Sequence, residues 1–151
     1  FGRSTSSRVS EVWLQNNAIG DTGAMAIGKG LMSSVVVDLN LYHNGIGDDG
    51  CEAIAKTISS STAQIQMLHI GDNLIGQRGA RALGNALSTS TTKLTVLMLG
   101  FNTIGDNGAI ALADGVKSKH TSLVTLGVNS NTIKAKGAEA LAKAMAHPHS
   151  T

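Results

Sequence analysis

The sequence predicts an α/β fold: a right-handed solenoid of five repeats, with parallel strands on its concave face and helices on its convex face. Three observations predict it. An Asn recurs at nearly constant spacing, the apolar period switches once inside each repeat, and a Gly holds one fixed place in every repeat. The Asn residues are Asn17, Asn44, Asn73, Asn102 and Asn131, spaced by 27, 29, 29 and 29 positions. Two positions after each comes Ile, at Ile19, Ile46, Ile75, Ile104 and Ile133. Self-similarity of this length marks stacked units, each unable to bury its apolar face alone.

Each repeat opens on alternating apolar and variable residues, the period of a half-buried strand. The segments are Val12–Trp13–Leu14, Leu39–Asn40–Leu41, Leu68–His69–Ile70, Leu97–Met98–Leu99 and Leu126–Gly127–Val128. Strand centres are expected near Leu14, Leu41, Ile70, Leu99 and Val128. Apolar residues then fall three and four apart, which is one helix face. They are Ala24, Ile27 and Leu31; Cys51, Ile54 and Ile58; Ala80, Leu83 and Leu87; Ala109, Leu112 and Val116; Ala138, Leu141 and Met145. Each helix should run about three turns, and the connection between parallel strands should be right-handed.

The fixed positions have physical causes. A strand turning sharply toward its helix leaves backbone N–H and C=O groups facing inward, and a buried Asn amide can satisfy both kinds. The five Asn residues therefore read as a structural ladder. Gly23, Gly50, Gly79, Gly108 and Gly137 let each helix start close to its neighbour. Asp21, Asp48 and Asp106 stand where an N-cap is wanted, while Gln77 and Ala135 replace that Asp, so their two helices should start less firmly. Cys51 fills a slot that holds Ala elsewhere, which reads as a small core residue.

Composition narrows the classes of function. The chain is 42% hydrophobic and 15% charged, so global disorder is excluded. A single Cys rules out an intrachain disulfide framework and fits a reducing, cytoplasmic compartment. No apolar stretch is long enough for a membrane span. A net charge of +2 is too small to argue for nucleic acid.

The string Leu-x-x-Leu-x-Leu-x-x-Asn-x-Ile-Gly-Asp-x-Gly-Ala-x-Ala-Ile/Leu resembles the ribonuclease-inhibitor class of leucine-rich repeats, from Val9 to about Met145. That class includes ribonuclease inhibitor, the ligand-sensing ends of nucleotide-binding innate immune receptors, and the Ran GTPase-activating protein. The resemblance implies a curved solenoid used for protein–protein recognition, without catalysis and without a cofactor. The repeats are expected at 9–35, 36–64, 65–93, 94–122 and 123–146, after an N-terminal extension over 1–8 and before a C-terminal tail over 147–151.

Stacking places equivalent residues in columns on the concave face. One column reads Trp13, Asn40, His69, Met98 and Gly127, and the next reads Gln15, Tyr42, Gly71, Gly100 and Asn129. The opposite flank reads Glu11, Asp38, Met67, Val96 and Thr125; beyond the turn-ward column lie Asn16, His43, Asp72, Phe101 and Ser130. Three of the four aromatics fall here, and no Lys or Arg does, although the chain has twelve. Trp13, Gln15, Asn40, Tyr42, His69, Met98 and Phe101 are the candidate partner-binding residues. Gly71 and Gly100 leave a floor without side chains, suited to a shallow apolar groove with aromatic anchors. The competing reading is that these side chains only pack along their columns.

Other chemistry finds little footing. The concave charges are Glu11, Asp38 and Asp72, the wrong sign for phosphate. His43 and Asp72 fall in one column, so an imidazole–carboxylate contact is expected, but no nucleophile stands beside them. His43, His69 and Asp72 lack the ligand spacing of a metal site. His147-Pro148-His149 reads as a tail. Two further classes stay open: a structural subunit docking through uncapped ends, and a GTPase-activating regulator. The first and fifth repeats keep their full apolar sets, which predicts a segment of a longer solenoid or ends packed on other subunits.

Overall fold

The computed structural model describes residues 8–146. The expected tail over 147–151, with its His-Pro-His, lies outside the described residues, as does all of the N-terminal extension except Arg8. Five short strands, β1 (Glu11–Trp13), β2 (Asp38–Asn40), β3 (Met67–His69), β4 (Val96–Met98) and β5 (Thr125–Gly127), form one parallel sheet in sequence order. Between and after them run α1 (Gly20–Leu31), α2 (Asp48–Ile58), α3 (Gln77–Leu87), α4 (Gly105–Val116) and α5 (Ala135–Met145), each of 11 or 12 residues. The register aligns Trp13, Asn40, His69, Met98 and Gly127 in one row. One sheet face packs on the helices and the other, the concave side of the solenoid, stays open.

The core is a set of rows, one residue per repeat. Leu39, Leu68 and Leu97, then Leu41, Ile70 and Leu99, then Ile54, Leu83 and Leu112 are all 0% exposed. Burying each such side chain contributes about 1.5–3 kcal/mol. Cys51, in the Ala row between Ala24 and Ala80, is equally enclosed.

The strands sit two residues earlier than the expected centres, on Val12, Leu39, Leu68, Leu97 and Leu126. The Asn ladder follows directly after them. Asn73 Nδ2 donates to the carbonyls of Leu41, Ile70 and Gly71, each at 3.0 Å. Its Oδ1 accepts from Asn44 N at 3.0 Å and Ile46 N at 2.9 Å. One side chain thus closes five backbone groups in two repeats, while backbone pairing continues beside it from Leu41 N to His69 O and from His43 N to Gly71 O. Asn44, Asn102 and Asn131 are likewise buried and donate to the same carbonyl rows. Asn17 is the correction to the expected ladder: it is exposed and donates only within its own turn, to Leu14 O and Gln15 O. The amide of each Asn serves the repeat before it, and no earlier repeat stands among the described residues.

The Asp residues also act one repeat away from where the sequence placed them. None caps its own helix. Asp21 Oδ1 accepts from Gly47 N and Gly50 N, at 2.7 and 2.9 Å, at the start of α2. Asp48 does the same for Gly76 and Gly79 of α3, and Asp106 for Lys134 and Gly137 of α5. Each carboxylate is a staple between successive helices, using the unpaired N–H groups that every helix start offers. Hence α3 and α5, expected to start weakly, are stapled. The helix deprived by Gln77 is the next one, α4.

The difference is visible in the backbone. Stapled helices follow an extended residue, Gly47, Gly76 or Lys134. The unstapled α1 and α4 begin one position earlier in the repeat, at Gly20 (φ +58°) and Gly105 (φ +63°). The ladder weakens with them: Ile104 N reaches Asn131 Oδ1 at 3.3 Å, and Asn44 Oδ1 is buried without a hydrogen-bond partner. The fixed Gly is required by close approach. A Cβ on Gly79 would stand 2.8 Å from Asp48 Oδ1 and from Ile75 Cγ2, and 3.0 Å from Cys51 Cβ. At the unstapled α3–α4 seam, Gly115 would bring a Cβ to 3.0 Å from Gly84 Cα. Two glycines let those helices touch along their backbones.

Two measurements check this scheme. Asn73→Ala should cost about 1–3 kcal/mol in urea unfolding, because buried backbone groups lose their partner. Asn17→Ala should cost well under about 1 kcal/mol; equal losses would contradict the ladder's direction. Asp48→Ala should cost about 1–2 kcal/mol and speed hydrogen exchange at Gly76 and Gly79, leaving the first turn of α2 unchanged.

Candidate functional site

The open face begins where each strand ends. Directly after the turn-ward column, the chain passes through the left-handed region at Asn16, His43, Asp72, Phe101 and Ser130, with φ between +52° and +61°. This twist aims the following Asn into the core. Asn, Asp and His accept that conformation comparatively well, whereas a bulky Phe does so at a cost of about 1–2 kcal/mol. Phe101 is also 53% exposed, so its ring recovers little by burial. The turn imposes that conformation in every repeat, and Phe101 is the bulkiest side chain placed there.

Phe101 stands at the rim of a recess of about 260 Å³, lined by Asn40, Tyr42, His69, Gly71, Met98, Gly100, Phe101 and Asn129. Its floor is the buried backbone of Gly71 and Gly100. A Cβ at Gly71 would meet the Tyr42 ring at 3.3 Å and Gly100 O at 2.8 Å, so only Gly keeps this floor low. Tyr42, 38% exposed, forms a second wall, and Met98 lies over Gly127. Five of the seven sequence-chosen residues are therefore brought together: Asn40, Tyr42, His69, Met98 and Phe101. Trp13 and Gln15 are not; they belong to the first repeat, outside the recess, with Trp13 63% exposed. Asn129 was missed as a site residue. Its amide leans over Gly100, and only the absence of a side chain at that Gly hinted at a neighbour filling the space.

Two imidazole–carboxylate pairs flank the recess. His43 Nδ1 lies 2.6 Å from Asp72 Oδ2, the contact the columns suggested. His69 Nε2 lies 3.8 Å from Asp38 Oδ1, a buried oxygen with no hydrogen-bond partner. Among the described residues no hydroxyl or thiol hydrogen-bonds to either imidazole, and no group of three or more His, Cys, Asp or Glu side chains converges as a metal site. Burial, reinforced by Asp48, pushes the Cys51 thiol far above its usual range, so it holds its proton and is a poor nucleophile.

The helical face behaves differently. Arg78 bonds to Asp49 and also meets Glu52 at 3.3 Å and Asp48 at 3.7 Å. Lys117 pairs with Asp114 at 2.8 Å and Lys143 with Glu139 at 2.7 Å. Among the described residues Arg78, Lys117 and Lys143 thus meet carboxylates on their own face. Among the described residues no helix is long and apolar enough to cross a membrane.

The strain at Phe101 can be measured. Phe101→Asn should raise stability by about 0.5–1 kcal/mol in chemical denaturation, since Asn accepts the left-handed conformation more readily. A loss of stability would show that the ring is held for packing.

The comparisons with known proteins agree with this architecture. A leucine-rich-repeat family model matches residues 11–28, 33–55, 91–113 and 119–142. Among curated proteins, sequence comparison finds no match. Among solved structures, the chain is similar to one titled leiomodin-1 actin-binding site 2, with a TM-score of 0.67 and 21% identity. That similarity covers 91% of this chain and 82% of the other. Repeated matches over more than half of the sequence, on a sheet of five parallel strands alternating with helices, show that the chain belongs to the leucine-rich repeat family.

Proposed function

We propose that this chain is a non-catalytic protein-interaction module that binds a partner through the recess on its open sheet face. The observation that carries the reading is Phe101, a bulky aromatic side chain left exposed at the rim of the recess, at a left-handed turn position that holds Asn, His, Asp or Ser in the other repeats. Together with Tyr42 it supplies aromatic anchors around a floor of bare backbone. Anchors of this kind dominate interface energetics, because they bury large area at small entropic cost. Leucine-rich repeats as a class, and fold similarity to a fragment titled as an actin-binding site, support a protein as the kind of partner.

One observation favours a second reading, in which the fifth repeat is a docking end. A recess of about 600 Å³ is lined there by Leu123, Val124, Leu126, Leu141 and Met145, with Val124 84% and Met145 78% exposed. Contiguous apolar surface of this kind suits association with another folded element.

Calorimetry with a partner captured from the source cells separates the two. Tyr42→Ala and Phe101→Ala should each weaken binding by about 2 kcal/mol while leaving the thermal midpoint nearly unchanged. Unchanged affinity in both variants, with a loss on Val124→Asp, would transfer the site to the fifth repeat.

A further inference from the structure

The proposed recess lies on a face whose columns carry carboxylates and no Lys or Arg. The chain is +2 overall, yet the open-face columns contain three carboxylates and neither Lys nor Arg. Glu11 and Asp38 are register partners on β1 and β2, and Asp72 directly follows the floor residue Gly71. On the helical face Arg78 answers three acids, whereas here only neutral-capable imidazoles face the carboxylates. Asp38 is the sharpest case. Its Oδ1 is buried with no hydrogen-bond donor, and the nearest group that could carry positive charge is His69 Nε2 at 3.8 Å. A buried, unanswered carboxylate oxygen is costly, and its field extends into the recess that His69 lines.

We infer that the occupant of this recess is a basic protein segment that presents an arginine side chain. The inference rests on the open-face binding reading. Arginine matches both halves of the site. Its aliphatic stem suits the apolar space between Tyr42 and Phe101, and its planar guanidinium stacks on aromatic faces. Its fixed charge answers the acids of the open face, none of which lines the recess itself but of which Asp38 lies against the lining residue His69. A glutamate or phosphate in the same place would add to charge that is already unbalanced.

The test uses the full 151-residue chain, labelled with ¹⁵N and titrated with capped tetrapeptides differing at one position: arginine, neutral citrulline or glutamate. The arginine peptide should shift the amides of Gly71, Gly100 and Phe101, and bind about fivefold tighter than the citrulline peptide. That advantage should shrink between about 20 and about 200 mM salt, and disappear in the double variant Asp38→Asn, Asp72→Asn. Equal binding of arginine and citrulline peptides at the recess would overturn the charge inference and leave the open-face reading standing. Shifts confined to the helices, or no saturable shift with any peptide, would overturn both.

Discussion

The repeating interaction on which the rest of this structure depends is the amide of a buried Asn spanning two repeats. Backbone polar groups at a sharp turn cannot be left in a dry interior. Asn73 answers five of them, three as donor and two as acceptor. This fixes the direction of the turn, which fixes where the helix returns to pack. Backbone pairing runs on past the three-residue strands, as from Leu41 N to His69 O and His43 N to Gly71 O, and the amides join it at the turn. The left-handed residue before each Asn belongs to the same device, since the reversal of φ there aims the amide inward.

The Asp staples form a second, independent link between neighbouring repeats, and they are absent at one internal seam. Where Gln77 replaces Asp, α4 starts from a glycine in the left-handed region, and the ladder bond above it lengthens to 3.3 Å. The helices compensate by approaching more closely, through Gly84 and Gly115. The recess spans this seam, since Gly71 comes from the third repeat and Gly100 and Phe101 come from the fourth. The proposed site therefore spans the internal junction that lacks an Asp staple.

Charge is divided between the faces for a related reason. On the helical side Arg78, Lys117 and Lys143 each meet a carboxylate. The open sheet face presents one residue per repeat in each column, with neighbours fixed by register. An unbalanced column cannot rearrange, and three carboxylates on this face keep their sign. A partner meets a fixed pattern of rings and charges, which is the physical basis for specificity in the proposed role.

The sequence by itself determined the number of repeats, the identity of the core rows, the parallel order of the strands and the columns of the open face. These are consequences of period, and period is written directly in the spacing of Leu, Ile, Asn and Gly. It also assembled most of the recess, because Asn40, Tyr42, His69, Met98 and Phe101 occupy adjacent columns and register alone brings them together. Only the tertiary structure decided what depends on direction between repeats. The spacing of Asp48 is compatible with capping its own helix or the next, and the angle of approach selects the next. Asn17 reads like its four counterparts, but an amide that serves the preceding repeat is buried only where that repeat stands against it. Strand boundaries lie two residues earlier than the expected centres, because period marks the apolar rows and not where regular pairing gives way to the turn. Trp13, as aromatic as Tyr42, stays outside the recess for the same cause: a wall requires a neighbour on each side, and neighbours are a property of the stack.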